Sequence, residues 1–78
     1  MRKPCKPLSL VMAGEKAVIS SFHLGDALRE RLYSLGMIPG TNIDCLYRRE
    51  GGLAAYNVRG SLIAIRLSDA KFILVKQQ

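Results

Sequence analysis

Seventy-eight residues, 49% hydrophobic and 23% charged, make one globular domain with a single small core. Twelve lysines and arginines against six aspartates and glutamates leave a net charge of +6, which suits nucleic acid, an anionic membrane surface or an acidic protein patch without choosing among them. No apolar run approaches the roughly 20 residues of a membrane span, and two cysteines do not make a disulfide framework.

Residues 1–6 read as a basic flexible tail carrying Cys5, and the folded domain is expected over 7–78. Gly14-Glu15-Lys16 cuts off the apolar stretch from Leu8 to Ala13, so no signal peptide is read and the expected location is cytoplasmic. Leu8-Ser9-Leu10 is expected to pack across an open end of the core. Glu15 to Phe22 alternates with β-branched residues and predicts a first strand.

Asp26 to Leu35 predicts a short helix. Asp26 is placed to cap its N-terminus. Leu28, Leu32 and Leu35 form one apolar stripe, with Glu30 and Ser34 opposite and Arg29 and Arg31 flanking it. Tyr33 lies off the centre of the stripe, which predicts partial exposure. A sharp corner follows. Gly36 stands where a helix end favours a left-handed residue, and Pro39-Gly40 suits a type II turn.

Beyond residue 41 the apolar period falls to two. Ile43, Cys45 and Tyr47 are expected to share the core face of a second strand, with Asp44, Leu46 and Arg48 opposite. Glu50-Gly51-Gly52 signals a hairpin into a third strand, Leu53 to Arg59. A tight reversal at Arg59-Gly60-Ser61, with Gly60 at positive φ, leads into a fourth strand, Leu62 to Leu67. A helical turn at Ser68–Lys71 precedes a fifth, Phe72 to Lys76.

Five short strands, one helix between the first two and a helical turn before the last predict a small, all-β, strongly bent antiparallel barrel. The expected core is Ile19, Leu28, Leu32, Leu35, Ile43, Cys45, Val58, Ile63, Ile65, Ile73 and Val75.

The sequence carries no phosphate-binding loop, dinucleotide fingerprint, HExxH or Cys-x-x-Cys motif. Its carboxylates are scattered, and no enzyme is read from it. His23, Glu30 and Cys45 are the side chains of metal-ligand type. Fe²⁺ or another divalent transition metal, weakly held, is the ion they would suit.

In order, Leu8-Ser9-Leu10, Gly14, Ile19, Arg31-Leu32, Leu35-Gly36-Met37-Ile38-Pro39-Gly40, Ile43, Val58-Arg59-Gly60, Ala64-Ile65-Arg66, Ala70, Ile73 and Val75 resemble the FeoA family. The most specific piece is Arg-Leu-x-x-Leu-Gly-Met-x-Pro-Gly, and the match runs from about Pro7 to Val75. The resemblance implies an SH3-like barrel with an inserted helix. It also implies a cytoplasmic accessory role in ferrous iron uptake, through contact with a membrane-bound GTPase transporter at the inner membrane. It supplies no catalytic residues and no metal-ligand motif.

Leu24, Arg29, Tyr33, Met37 and Ile38 are the candidates for the docking surface. For Met37 and Ile38 the alternative is packing against the helix end, and for Arg29 a solvated helix face. Gly36, Pro39, Gly40 and Gly60 are the turn-forming residues. The competing readings are a metal-binding or metal-sensing module and, less favoured, a basic barrel that stacks nucleic-acid bases on Tyr33, Tyr47 and Tyr56.

Overall fold

The alternation read from residue 41 onward becomes, in a computed structural model describing residues 4–77, the larger part of one six-stranded antiparallel sheet. Strand β1 is Lys6–Pro7 and β2 is Lys16–Phe22; helix α1, Asp26–Ser34, follows. Then come β3 (Asn42–Arg48), β4 (Leu53–Val58), β5 (Ser61–Arg66), the four-residue helix α2 (Leu67–Ala70) and β6 (Ile73–Gln77). The strands lie in the order β1-β6-β2-β3-β4-β5.

The sheet curls around a core that includes Ile19, Leu32, Ile43, Cys45, Val58, Ile63, Ile65, Ile73 and Val75, nine of the eleven residues expected there. Each strand directs alternate residues inward, and this burial drives closure of so short a sheet. One end is stoppered from outside the sheet. A 3₁₀ turn at Leu8–Leu10 buries Leu8 completely and packs against α2, which buries Ala70. The loop after this turn is held by Glu15, whose carboxylate accepts the Met12 N–H at 2.7 Å. That bond, helped by Gln77 and by the charge of Lys6, holds the Glu15 carboxyl below the usual carboxylate range.

The structure corrects the sequence expectations at several points. Among the described residues there are six strands rather than five. Lys6–Pro7 pairs with Val75 and Leu74, so the ladder begins inside the stretch read as tail. Residues 1–3 of that tail, and Gln78, lie outside the described residues.

Asp26 does not cap α1. Gly25 occupies the cap position without a side-chain bond, and Asp26 is the first helical residue, paired with Arg29 at 2.7 Å. It still places negative charge in the first turn, where the helix dipole favours it.

Tyr47 is 51% exposed rather than core-facing. The β3–β4 register slips between Cys45 and Tyr47, with Cys45 opposite Tyr56 and Tyr47 opposite Ala55. Leu46 is therefore an extra, bulged residue, and every side chain after it changes face. Tyr47 turns out and Arg48 turns in. The Arg48 guanidinium donates to the Ser9 carbonyl at 2.8 Å and to Glu50 at 2.6 Å, tying the stopper to the β3–β4 hairpin.

Leu28 is only partly buried and Leu35 is 45% exposed, although both belong to the predicted stripe. The stripe faces the outer strand β5, and no described strand lies beyond β5 to cover it. Conversely Val11, Ala17, Ala54, Tyr56 and Ala70 are in the core without having been expected there, while Leu8 packs at the end of the core as expected and Met37 takes its alternative, packing at the helix end.

Candidate functional site

The corner after α1 is built by the backbone. The Met37 N–H donates to the Leu32 carbonyl at 3.0 Å and the Gly36 N–H to that of Tyr33 at 2.9 Å. This is a complete Schellman motif, and it requires the left-handed residue that Gly36 supplies at φ +94°. The motif brings Met37 beside Leu32, and both are buried.

Thr41 then donates its N–H to the Ile38 carbonyl, closing a turn around Pro39-Gly40 with Gly40 at φ +90°. Two more bonds fix the corner to β2. Gly40 N–H donates to the Ile19 carbonyl at 2.8 Å, and Ile19 N–H donates to that of Thr41 at 2.9 Å. Gly36, Pro39 and Gly40 thus form the turn for which they were singled out, and Gly60, at φ +85°, forms the β4–β5 turn.

The expected docking residues separate into two groups. Met37 is inaccessible at 0% exposure, with its N–H bonded to the Leu32 carbonyl in the Schellman motif, so it takes the packing alternative in this structure. Leu24 is partly buried against the core. Tyr33 and Ile38 are exposed at 41% and 37%, and Tyr33 is steadied by an edge-on contact with Phe22 at 5.2 Å between ring centres. Arg29 stays at the surface, held by Asp26.

Leu35, assigned to the core by its spacing, joins Tyr33 and Ile38 outside. The corner therefore carries an apolar surface with Arg29 and Arg31 on the same helix. Spacing alone hid Leu35, because a helical stripe marks a direction and not the distance to the next layer.

Leu35 also lines a groove of about 340 Å³ between α1 and β5, with Leu28 and Leu32 on one wall and Leu62 and Ala64 on the other. A broader cavity of about 640 Å³ lies at the β3–β4 hairpin, lined by Arg49, Arg66, Leu53 and Ser68.

The residues of metal-ligand type are not brought together. Cys45 lies in the core, where burial pushes its thiol pKa up, while His23 and Glu30 are exposed. His23 shares a hydrogen bond with the Ser21 hydroxyl at 3.0 Å. Among the described residues no three His, Cys, Asp or Glu side chains group around a common point, so these residues do not fit a chelating site. Tyr56, a base-stacking candidate in the nucleic-acid reading, is fully buried. Among the described residues no helix is long and apolar enough to cross a membrane.

Comparison by sequence finds no match among proteins of curated function. The fold has solved relatives. A crystal structure of an iron uptake regulatory protein, FeoA, is 28% identical, superposes with a TM-score of 0.87, and covers 96% of this chain and 100% of its own. The FeoA protein from Chlorobium tepidum is 30% identical with a TM-score of 0.85, over 91% of this chain and 69% of its own. A manganese-dependent transcriptional repressor shares the fold at 18% identity and a TM-score of 0.86, with 96% of this chain matching 42% of it. The FeoA domain model matches residues 6–77, so the SH3-like barrel, the Schellman corner and nearly the whole length of the sequence agree: this chain belongs to the FeoA family.

Proposed function

We propose that this chain is a small, non-enzymatic accessory protein of ferrous iron uptake. It resides in the cytoplasm and docks on the cytoplasmic portion of a membrane GTPase iron transporter at the inner membrane face. The observation that carries the reading is the apolar surface at the end of α1, where Tyr33, Leu35 and Ile38 stand exposed on a rigid corner in a member of the FeoA family. Exposed side chains on a hydrogen-bonded corner lose little freedom when a partner covers them, which favours a specific contact. The neighbouring arginines and the net charge of +6 would favour approach to an acidic partner beside an anionic leaflet.

The test is an anaerobic pull-down with the cytoplasmic portion of the cognate transporter, with and without guanine nucleotide, together with Fe²⁺ uptake in a deletion strain. Wild-type protein is expected to be retained, and Ile38→Asp to be lost from the complex while keeping its melting temperature. Deletion is expected to lower anaerobic Fe²⁺ uptake. Normal uptake in the deletion strain under iron limitation would overturn the proposal.

A further inference from the structure

The outer strand β5 pairs only with β4 among the described residues. Its turn from β4 has two central residues, Arg59 at φ +54° and Gly60 at φ +85°, the pattern of a type I′ hairpin. In such a hairpin the flanking residues, Val58 and Ser61, are a hydrogen-bonded pair, and bonding then alternates along the ladder. Ser61, Ile63 and Ile65 therefore spend their backbone groups on β4. Leu62, Ala64 and Arg66 direct theirs away from it. Among the described residues Leu62 and Ala64 make no backbone bond to a turn or loop, and Arg66 keeps its N–H outward while its carbonyl, at the N-cap of α2, serves the first turn of that helix.

A six-residue strand with a free row of amides and carbonyls is a template for another strand. Here the template is not bare. Across the groove stands α1, with Leu28 and Leu35 opposite Leu62 and Ala64. The groove is therefore polar along one wall, where backbone groups wait, and apolar on the other. Two guanidiniums line it, Arg31 from α1 and Arg66 from β5, against one carboxylate, Asp69 of α2, and neither arginine side chain has an ion pair or hydrogen bond among the described residues, so the groove is left with a net positive charge. Arg66 also borders the hairpin cavity, where Arg49 adds a third unpaired guanidinium.

We infer that β5 and α1 form a strand-addition site: an extended segment of a partner protein, with apolar residues alternating with acidic ones, lies in the groove and extends the sheet beyond β5. Its backbone pairs with Leu62, Ala64 and Arg66, its apolar side chains meet Leu28 and Leu35, and its carboxylates meet Arg31 and Arg66. The inference rests on the adapter reading only for which protein supplies the segment. The groove itself can be tested without the transporter.

The probe is a capped synthetic peptide alternating valine and glutamate, matched in length to the six residues of β5. It is titrated into the full-length protein while amide hydrogen exchange is followed by NMR. Exchange at Leu62, Ala64 and Arg66 is expected to slow by about tenfold or more at saturation, as for newly paired edge amides, while Ser61, Ile63 and Ile65 stay as they were. A peptide with lysine in place of glutamate is expected to bind about tenfold or more weakly, and Arg31→Glu with Arg66→Glu to weaken the glutamate peptide similarly. Ala64→Pro removes one outward N–H without touching the β4 ladder and is expected to abolish binding.

No protection of the three amides at millimolar peptide would overturn the site. Equal binding of both peptides would overturn the acidic partner. Protection that grows with protein concentration in the absence of peptide would assign the groove to a second copy instead. Because the titration contains no transporter, its failure leaves docking through Ile38 standing, and a failed pull-down leaves the groove standing.

Discussion

Tyr56 heads the fully buried side chains by size, and its hydroxyl has no hydrogen-bond partner among the described residues. A buried polar group without a partner forfeits about 1–3 kcal/mol of solvation. Tyr56→Phe keeps the ring packing and removes the orphaned oxygen, so it is expected to leave stability unchanged or raise it by about 1 kcal/mol. Chemical denaturation checks this. Alkaline titration supplies a second reading of the same residue. Burial first, and the nearby Cys45 second, push the Tyr56 phenol above its ordinary range. Above about pH 10 the unfolded chain releases its tyrosine protons while the folded chain retains this one. The unfolded state then binds fewer protons, and stability falls as pH rises. Tyr56→Phe should flatten part of that alkaline fall; an unchanged slope would place the phenol in contact with solvent. Alternation from Val58, expected in the core, puts Tyr56 two residues earlier on the same face. A tyrosine by composition alone suits either face, and its pairing opposite the buried Cys45 agrees with the inward one.

At the scale of single elements, the corner was readable and the bulge was not. Gly36 and Pro39-Gly40 announce themselves because a left-handed backbone and a preset φ each favour a particular residue type. The bulge at Leu46 has no such signature. One extra residue in a strand changes neither composition nor propensity, yet it reverses Tyr47 and Arg48. β1 was hidden for another reason: two residues carry no periodicity, and Lys6–Pro7 is a strand only because β6 presents an edge to it. The corner gives the clearer stability prediction. A Cβ on Gly36 would come no closer than 3.7 Å to the Arg59 side chain, so crowding is not the obstacle. The cost comes from φ +94°, a conformation that other residues reach with difficulty. Gly36→Ala is expected to destabilise by about 1–2 kcal/mol, measured by thermal or urea unfolding. Gly25→Ala, at a glycine with φ −63° and open space around it, should cost distinctly less. Equal losses at the two sites would mean that backbone strain is not what Gly36 relieves.

At the scale of the whole molecule, the fold class was legible because short alternating strands, turn residues and the inserted helix all point to one small barrel, although the strand count fell one short. The candidate surface was only partly legible. Exposure of Leu35 and Leu62 depends on where the sheet stops, and the end of a sheet is a property of the assembled fold rather than of any segment. Charge adds a consequence that can be separated from shape. The excess of +6 acts over about 8 Å at physiological ionic strength, so it governs approach rather than the final contact. The individual arginines are not equivalent in that field. Asp26 lies 2.7 Å from Arg29 and compensates it locally, whereas Arg31 has no such partner among the described residues. Arg31→Glu is therefore expected to slow association with the transporter's cytoplasmic portion by several-fold at low salt, and Arg29→Glu to slow it too. Both differences should shrink as salt is raised. Dissociation should stay nearly unchanged in Arg29→Glu, a steering charge outside the groove, whereas Arg31→Glu should also speed it, because that guanidinium lines the groove. Ile38→Asp should show the opposite pattern, with nearly normal association and much faster dissociation. Stopped-flow association and surface-immobilised dissociation measurements at two ionic strengths separate these outcomes. Arg29→Glu altering only dissociation would place that guanidinium inside the contact and overturn the division between steering charge and binding corner.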